Sequence, residues 1–363
     1  MERFDEAVRE LEALFRAGGV AVSSPDAFDA WALRCFAVQY DGCDPYRALC
    51  DARGVTPANV DRWEDVPAVP ATAFKHLDLV VGAPEAAELV FRTSGTTAGP
   101  GGRGRHYVSR AGLYRAACVT AFRSHLLPDG VRPHLLSLVP SPGDAPHSSL
   151  SHMMGMVAEE LCSASGWYVD GTGSLDVEGF VEAADRAEAP VVVAGTAFSF
   201  VHLLDALSAR GGGVVLPSGS RVMETGGFKG RSREVSRDDL YGMVHTLLGV
   251  PPVRVVNEYG MTELLSQLYE PVLTMGEAGR GLHRPPPWLA VRALDPVSLD
   301  PVPEGSVGLL AFFDLANLGS ISHLLTQDVG SVTPEGVRLT GRLPGAEPRG
   351  CSRAMDELLA ASS

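Results

Sequence analysis

Apolar positions at the start of the chain follow helical spacing. Phe4, Val8, Leu11, Leu14 and Phe15 share a face, and Gly18-Gly19 ends the predicted helix. A second predicted helix, about 26 to 40, carries Phe28, Trp31, Cys35 and Val38 on one stripe. Prolines extend the stretch Val66–Lys75. Beyond it, short apolar runs alternate with helical patterns. Ser109 is placed to cap a helix to about Leu127, and Leu135–Val139 reads as a strand. A polar loop with His147 and His152 follows, then a buried strand at Val191–Gly195 and a helix from Ala197 to Ala209. Val214–Leu216 and Val253–Val256 read as further strands, separated by a helix that Ser236 caps and that runs to about Leu248. Strands alternating with helices imply an α/β chain with a mainly parallel sheet. From about residue 285 prolines cluster, and Val307–Phe313 and Val337–Leu339 read as strands of a β-rich section.

Two stretches break this pattern. Leu89-Val90-Phe91 leads into Arg92-Thr93-Ser94-Gly95-Thr96-Thr97-Ala98-Gly99-Pro100-Gly101-Gly102-Arg103-Gly104-Arg105. Such a loop cannot build a core, but it offers uncovered backbone N–H groups, hydroxyl donors and guanidinium groups suited to phosphate oxygens. It is not the common nucleotide P-loop, because no Gly-Lys-Ser/Thr follows; the alternative is a flexible surface loop. The second is Asn257-Glu258-Tyr259-Gly260-Met261-Thr262-Glu263 after a strand. Both are expected past the carboxyl ends of sheet strands, where α/β folds hold ligands.

Composition narrows the function. The chain has 363 residues, 45% of them hydrophobic, and a net charge of −14, which argues against nucleic acid and anionic membrane as partners. The mixed-charge, amphipathic N-terminus is not a secretory signal, and no apolar run is long enough to span a bilayer. Six cysteines without Cys-x-x-Cys or zinc spacing fit a reducing cytoplasm. Of 30 basic residues only Lys75 and Lys229 are lysine, which suggests positions needing a compact ammonium.

Taken together, the motifs resemble those of the adenylate-forming enzymes. Thr93–Pro100 resembles their phosphate loop, Tyr259–Glu263 their Tyr-Gly-x-Thr-Glu motif, Thr326-Gln327-Asp328-Val329-Gly330 the segment with their ribose-binding aspartate, and Gly341-Arg342 their domain-junction Gly-Arg. A closer resemblance is to the acyl-protein synthetases, with phenylacetate–CoA ligases as near relatives. It rests on Ala73-Phe74-Lys75, Ser148–Met153, Glu224–Gly230, Asp314-Leu315-Ala316-Asn317 and Arg349-Gly350-Cys351-Ser352.

The resemblance implies a large N-terminal domain of layered, mainly parallel sheets with helices, divided as a core at 1–284 with the phosphate loop at 93–105, a β-rich subdomain at 285–345 and a tail at 346–363. It implies ATP-dependent activation of a small carboxylic acid as its acyl-adenylate, with release of pyrophosphate and acyl transfer to a thiol or amine. Thr93, Ser94, Gly95, Thr96, Thr97, Arg103 and Arg105 would hold the β- and γ-phosphates, Thr262 the α-phosphate, and Glu263 a Mg²⁺ ion. Gly226, Gly227, Glu258, Tyr259 and Gly260 would line the adenine, Asp328 and Arg342 the ribose side, and His152 and Met261 the acyl pocket. Lys75 and Lys229 are candidate cations near the reacting groups, and Cys351 a candidate acyl acceptor.

Two departures stand out. Gly101-Gly102-Arg103 replaces the family's lysine after the loop glycines, and the chain stops about 20 residues after Arg342, so the usual lid domain and its lysine are expected to be missing, as in the short acyl-protein synthetases. Alternative readings are a biosynthetic amide- or thioester-forming ligase for an aryl or alkyl acid, and a catalytically weak nucleotide-binding regulator. An acyl-acceptor protein or carrier is an expected partner. The acid itself is not legible.

Overall fold

The computed structural model describes residues 2–93, 102–226, 235–342 and 349–362. Contacts divide the chain into two units, Met1–Thr120 with Met261–Gln267 and Gly281–Ser363, and Ala121–Gly260 with Leu268–Arg280.

The first unit opens with helix Glu2–Arg16, which buries Phe4, Ala7, Val8, Leu11 and Phe15 on one face. Gly18 and Gly19 follow with left-handed φ angles of 84° and 71°. Only glycine serves at position 19, because a Cβ there would lie 2.6 Å from the Trp288 ring. Ser24 caps helix Pro25–Gly42, accepting from the Ala27 amide, with Pro25 in the first turn. The proline-extended stretch supplies a two-residue strand, Val69–Pro70, parallel to Leu324–Leu325. That strand edges an otherwise antiparallel sheet of His323–Thr333, Val307–Asp314, Leu289–Leu294 and Gly336–Arg342. The β-rich texture from residue 285 therefore corresponds to a sheet of this unit. Helix Arg349–Ala361 packs Cys351 with Leu294, Leu309, Ala311 and Leu325.

The second unit holds a six-stranded sheet in the order Ala164–Trp167, His134–Leu138, Val191–Thr196, Arg221–Thr225, Val255–Tyr259, Leu268–Tyr269. The first five are parallel and the last is antiparallel. Val191, Val193, Val222 and Val255 pack with helices Val177–Asp185, Ala197–Ala209 and Arg237–Leu248, while Leu135, Val192, Met223 and Val256 on the alternate positions are also buried. Residues buried on both faces explain why these strands read as continuous apolar runs.

Several local expectations change. Val214–Leu216 is not a strand. Its Val214 and Leu216 amides donate to Leu247 and Leu248 carbonyls (2.7 and 3.1 Å), satisfying the open C-terminal end of helix Arg237–Leu248. Pro252–Arg254 forms a 3₁₀ turn, so the strand starts at Val255. Ser109 caps nothing: its hydroxyl donates to the Gly319 carbonyl, and the Ala111 amide that opens helix Ala111–Leu126 donates to Glu88 instead. His152 lies not in a loop but on helix Ser149–Leu161, which Ser148 caps.

Candidate active site

The glycine loop does not extend from the parallel sheet. It joins Leu89–Arg92 to Arg105–Val108, an antiparallel two-stranded ribbon of the first unit. Ser94, Gly95, Thr96 and Thr97 lie outside the described residues, but the loop's mouth is well defined. The Thr93 amide donates to the Gly104 carbonyl (3.0 Å), and the Gly104 amide donates to Thr93 Oγ1 (2.9 Å). Gly104 sits in a tight place. A Cβ would come within 3.1 Å of the Phe74 carbonyl group, so the segment ending in Lys75 runs directly against the loop's exit. Lys75 ends the 3₁₀ turn Ala71–Lys75 and is exposed, as is Arg103. Arg105 is also exposed, stacks over Tyr107 and pairs with Asp78 at 2.7 Å.

Thr262 and Glu263 belong to the same unit, where buried side chains hold their backbone. His106 Nδ1 donates to the Thr262 carbonyl (2.7 Å), and Asn317 Nδ2 donates to the Glu263 carbonyl (2.8 Å). Two and three residues past Glu263, the Leu265 and Ser266 amides donate to one Asp314 oxygen (3.0 and 2.9 Å), and the Ser266 hydroxyl to the other (2.7 Å). Trp288 Nε1 donates to that same hydroxyl. Burial pushes the Asp314 carboxyl up to about 6, and the donors around it oppose the rise. Thr262 and Met261 are half-buried, and Glu263 is buried.

Asp328 and Arg342 face each other across strands His323–Thr333 and Gly336–Arg342, and Arg342 Nε donates to Asp328 Oδ1 (2.6 Å). Two residues nominated separately thus form one charged pair. Cys351 is 1% exposed, with Sγ 3.6 Å from the Thr326 carbonyl.

In the second unit, strand Val255–Tyr259 delivers Glu258 and Tyr259 to its carboxyl end, followed by exposed Gly260. Thr225 is Glu258's register partner on the adjacent parallel strand, and its hydroxyl donates to the Glu258 carboxyl. Burial raises the Glu258 carboxyl to about 7, with nearby Glu224 adding and Thr225 opposing. Glu224 accepts from Asn257 Nδ2 (2.6 Å) and from the Tyr241 hydroxyl (2.9 Å). Gly226 follows with φ of 79°, and among the described residues nothing lies within 4 Å of where its Cβ would be. Gly227 and Lys229 lie outside the described residues. His152 Nε2 donates to the Pro146 carbonyl (3.1 Å).

Sequence reasoning named the Asp314–Asn317 segment without a role and missed His106 and Trp288. Nothing in the sequence marks a histidine in a strand as a backbone clamp.

A family model described as acyl-protein synthetase, LuxE, matches residues 20–360. The chain belongs to the acyl-protein synthetase family. It is thus an ATP-dependent, AMP-forming acid ligase by family. The long-chain-fatty-acid–luciferin-component ligase of Vibrio harveyi is 24% identical over 339 residues, covering 89% of this chain and 86% of that one. Among solved structures, an open conformation of 2-hydroxyisobutyryl-CoA ligase in complex with 2-HIB-AMP and CoA superposes with a TM-score of 0.62 at 16% identity, covering 88% of this chain and 69% of that one. An ATP-bound RpMatB-BxBclM chimera superposes at 0.50 and 17% identity, covering 71% of this chain, which spans about half (48%) of that one's length. This acyl-protein synthetase therefore has the fold of adenylate-forming enzymes. No helix among its described residues is long and apolar enough to cross a membrane.

Proposed function

We propose that this acyl-protein synthetase joins a carboxylic acid to the α-phosphate of ATP, releases pyrophosphate, and passes the acyl group to a thiol or amine of a second molecule. A carboxylate is a poor electrophile, and the adenylate gives it AMP as leaving group. Bringing a carboxylate onto a triphosphate needs fixed donors and neutralised charge. The observation that carries the reading is the immobilised Thr262–Glu263 segment, held by His106, Asn317 and Asp314 in the unit that also bears the phosphate-loop ribbon. In this reading Thr262 donates to the α-phosphate. Arg103 and Arg105, with Thr93 and the loop hydroxyls, hold the outer phosphates, and Asp328, oriented by Arg342, accepts from the ribose. Lys75 and Lys229 neutralise the reacting groups, Gly226, Gly227, Glu258, Tyr259 and Gly260 line the adenine, and His152 and Met261 border the acid.

Magnesium fits this donor set in one way. Among the described residues no three His, Cys, Asp or Glu side chains converge as a cage. A single carboxylate, Glu263, matches a Mg²⁺ ion held mainly by phosphate oxygens and water, where it offsets the charge of the phosphates.

The relative's name puts long-chain fatty acids first among the acids to try. The buried position of Cys351 favours an external acceptor, a carrier or partner protein in the cytoplasm, over acylation of this chain. The test is pyrophosphate release across fatty, aryl and amino acids, followed by intact mass. Acid-dependent release with no adduct on this chain supports the proposal. A stable acyl adduct that Cys351→Ser abolishes overturns the external acceptor. ATP binding without release for any acid favours the regulatory reading instead.

A further inference from the structure

One buried side chain ties the phosphate-loop ribbon to a segment more than 150 residues later in the sequence. His106 sits on strand Arg105–Val108, two residues past Gly104, the closing residue of the loop's mouth. Its ring is 0% exposed and meets Phe74 edge-on at 5.4 Å. Because the Thr262 carbonyl can only accept, Nδ1 carries the proton. Nε2 is then a bare lone pair, and among the described residues it has no hydrogen-bond partner. Burial holds the ring neutral, pushing its pKa down to about 4. Packing alone does not call for such a residue, since a buried nitrogen without a partner opposes stability and a phenylalanine would fill the same space.

The connection is stiff at both ends. On the ribbon side His106 pairs in register with Phe91, and Thr93 and Gly104 bond twice just beyond. On the other side Asn317 grips the Glu263 carbonyl next to the one His106 holds. We propose that His106 is a positioning residue that sets the register between the phosphate loop and Thr262–Glu263 for the adenylation step. This rests on the reading of that segment as the α-phosphate and magnesium site. The role is through the backbone: a slip of Thr262 displaces its side chain from the transferring phosphorus, which lowers turnover more than it weakens binding of the acid.

The test is acid-dependent ATP–pyrophosphate exchange by the full chain carrying His106→Phe, His106→Asn or His106→Gln. Phenylalanine keeps the ring against Phe74 and loses the donor. Asparagine places an amide N–H close to where Nδ1–H stands, and glutamine places it one carbon too far. The expected result is a drop in kcat of about 100-fold for His106→Phe and His106→Gln, little change in the KM for the acid, and substantial rescue in His106→Asn. Equal kcat in His106→Phe and wild type overturns the proposal. So do losses that follow the melting temperature alike in all three variants, because that is the mark of a merely structural residue. If His106→Phe fails to fold, the Asn/Gln pair decides, and equal rates for the two overturn it. Absence of exchange in the wild type with every acid overturns the adenylation reading itself, and the positioning role falls with it.

Discussion

Glu258→Gln tests the electrostatic reading of the parallel sheet's carboxyl edge. Glu258 is buried, bonded by the Thr225 hydroxyl, and its carboxyl is raised from 4.5 to about 7. An acid raised on folding favours the native state in its protonated form. Its contribution is fully present below the unfolded value near 4.5 and is lost as pH climbs through about 7. That gap, at about 1.4 kcal/mol per pH unit, corresponds to about 3 kcal/mol. Glutamine cannot ionise, so the variant escapes this loss while keeping an oxygen to accept from Thr225. Urea unfolding of both proteins between about pH 5 and pH 8 measures the effect. The wild type is expected to lose ground to the variant steadily across that range, by up to about 3 kcal/mol at the alkaline end. Glu224 is present in both proteins, so its own titration cancels to first order. A stability difference that stays constant with pH would refute the reasoning, because it would mean that Glu258 does not change its charge in this window.

Other perturbations have expected outcomes of their own. Glu270 is fully buried and accepts from Arg237 (2.8 Å) and Arg280 (2.7 Å), whose side chains are 43% and 20% exposed. Glu270→Ala should cost about 3 kcal/mol, mostly by stranding Arg280, and a shift in the urea midpoint worth less than about 1 kcal/mol would contradict this. Arg221 is 1% exposed and donates to Asp129 and to the Leu126 and Gly219 carbonyls. Arg221→Met should destabilise by about 2 kcal/mol in the same assay, mainly through the buried Leu126 carbonyl losing its donor, since Gly219 keeps Arg254. All six cysteines are buried, so a thiol reagent should label the native protein slowly and the unfolded protein at once. A fast-reacting thiol that disappears in Cys351→Ser would show that the helix Arg349–Ala361 opens readily.

Much of the fold was legible because its signals are local. The doubly buried strand Val191–Thr196 is apolar up to Thr196, and helix Arg237–Leu248 carries its Ser236 cap in sequence. Where the reading failed, a distant partner decided the outcome. Val214 and Leu216 are apolar enough for a strand, but their amides serve a helix end more than 30 residues on. Ser109 has the composition of a cap, yet the Gly319 carbonyl claims its hydroxyl. The candidate site divides in the same way. Phosphate-loop, Thr262–Glu263 and Asp328 residues announce themselves as unusual polar clusters. The residues that hold them do not: His106, Asp314 and Asn317 act through backbone groups of a segment they approach only after folding. The pairing of Asp328 with Arg342 was likewise invisible as a pair, because strand register sets it.

The central claim is that the acid's own oxygen attacks the α-phosphorus. Incubating the protein with ATP, an acceptor and an acid labelled with ¹⁸O in its carboxylate tests this directly by mass spectrometry of the nucleotide. If the acid displaces pyrophosphate and the acceptor then displaces AMP at the acyl carbon, each AMP released leaves with one labelled oxygen. Unlabelled AMP, or label recovered in orthophosphate alongside ADP, would contradict the account.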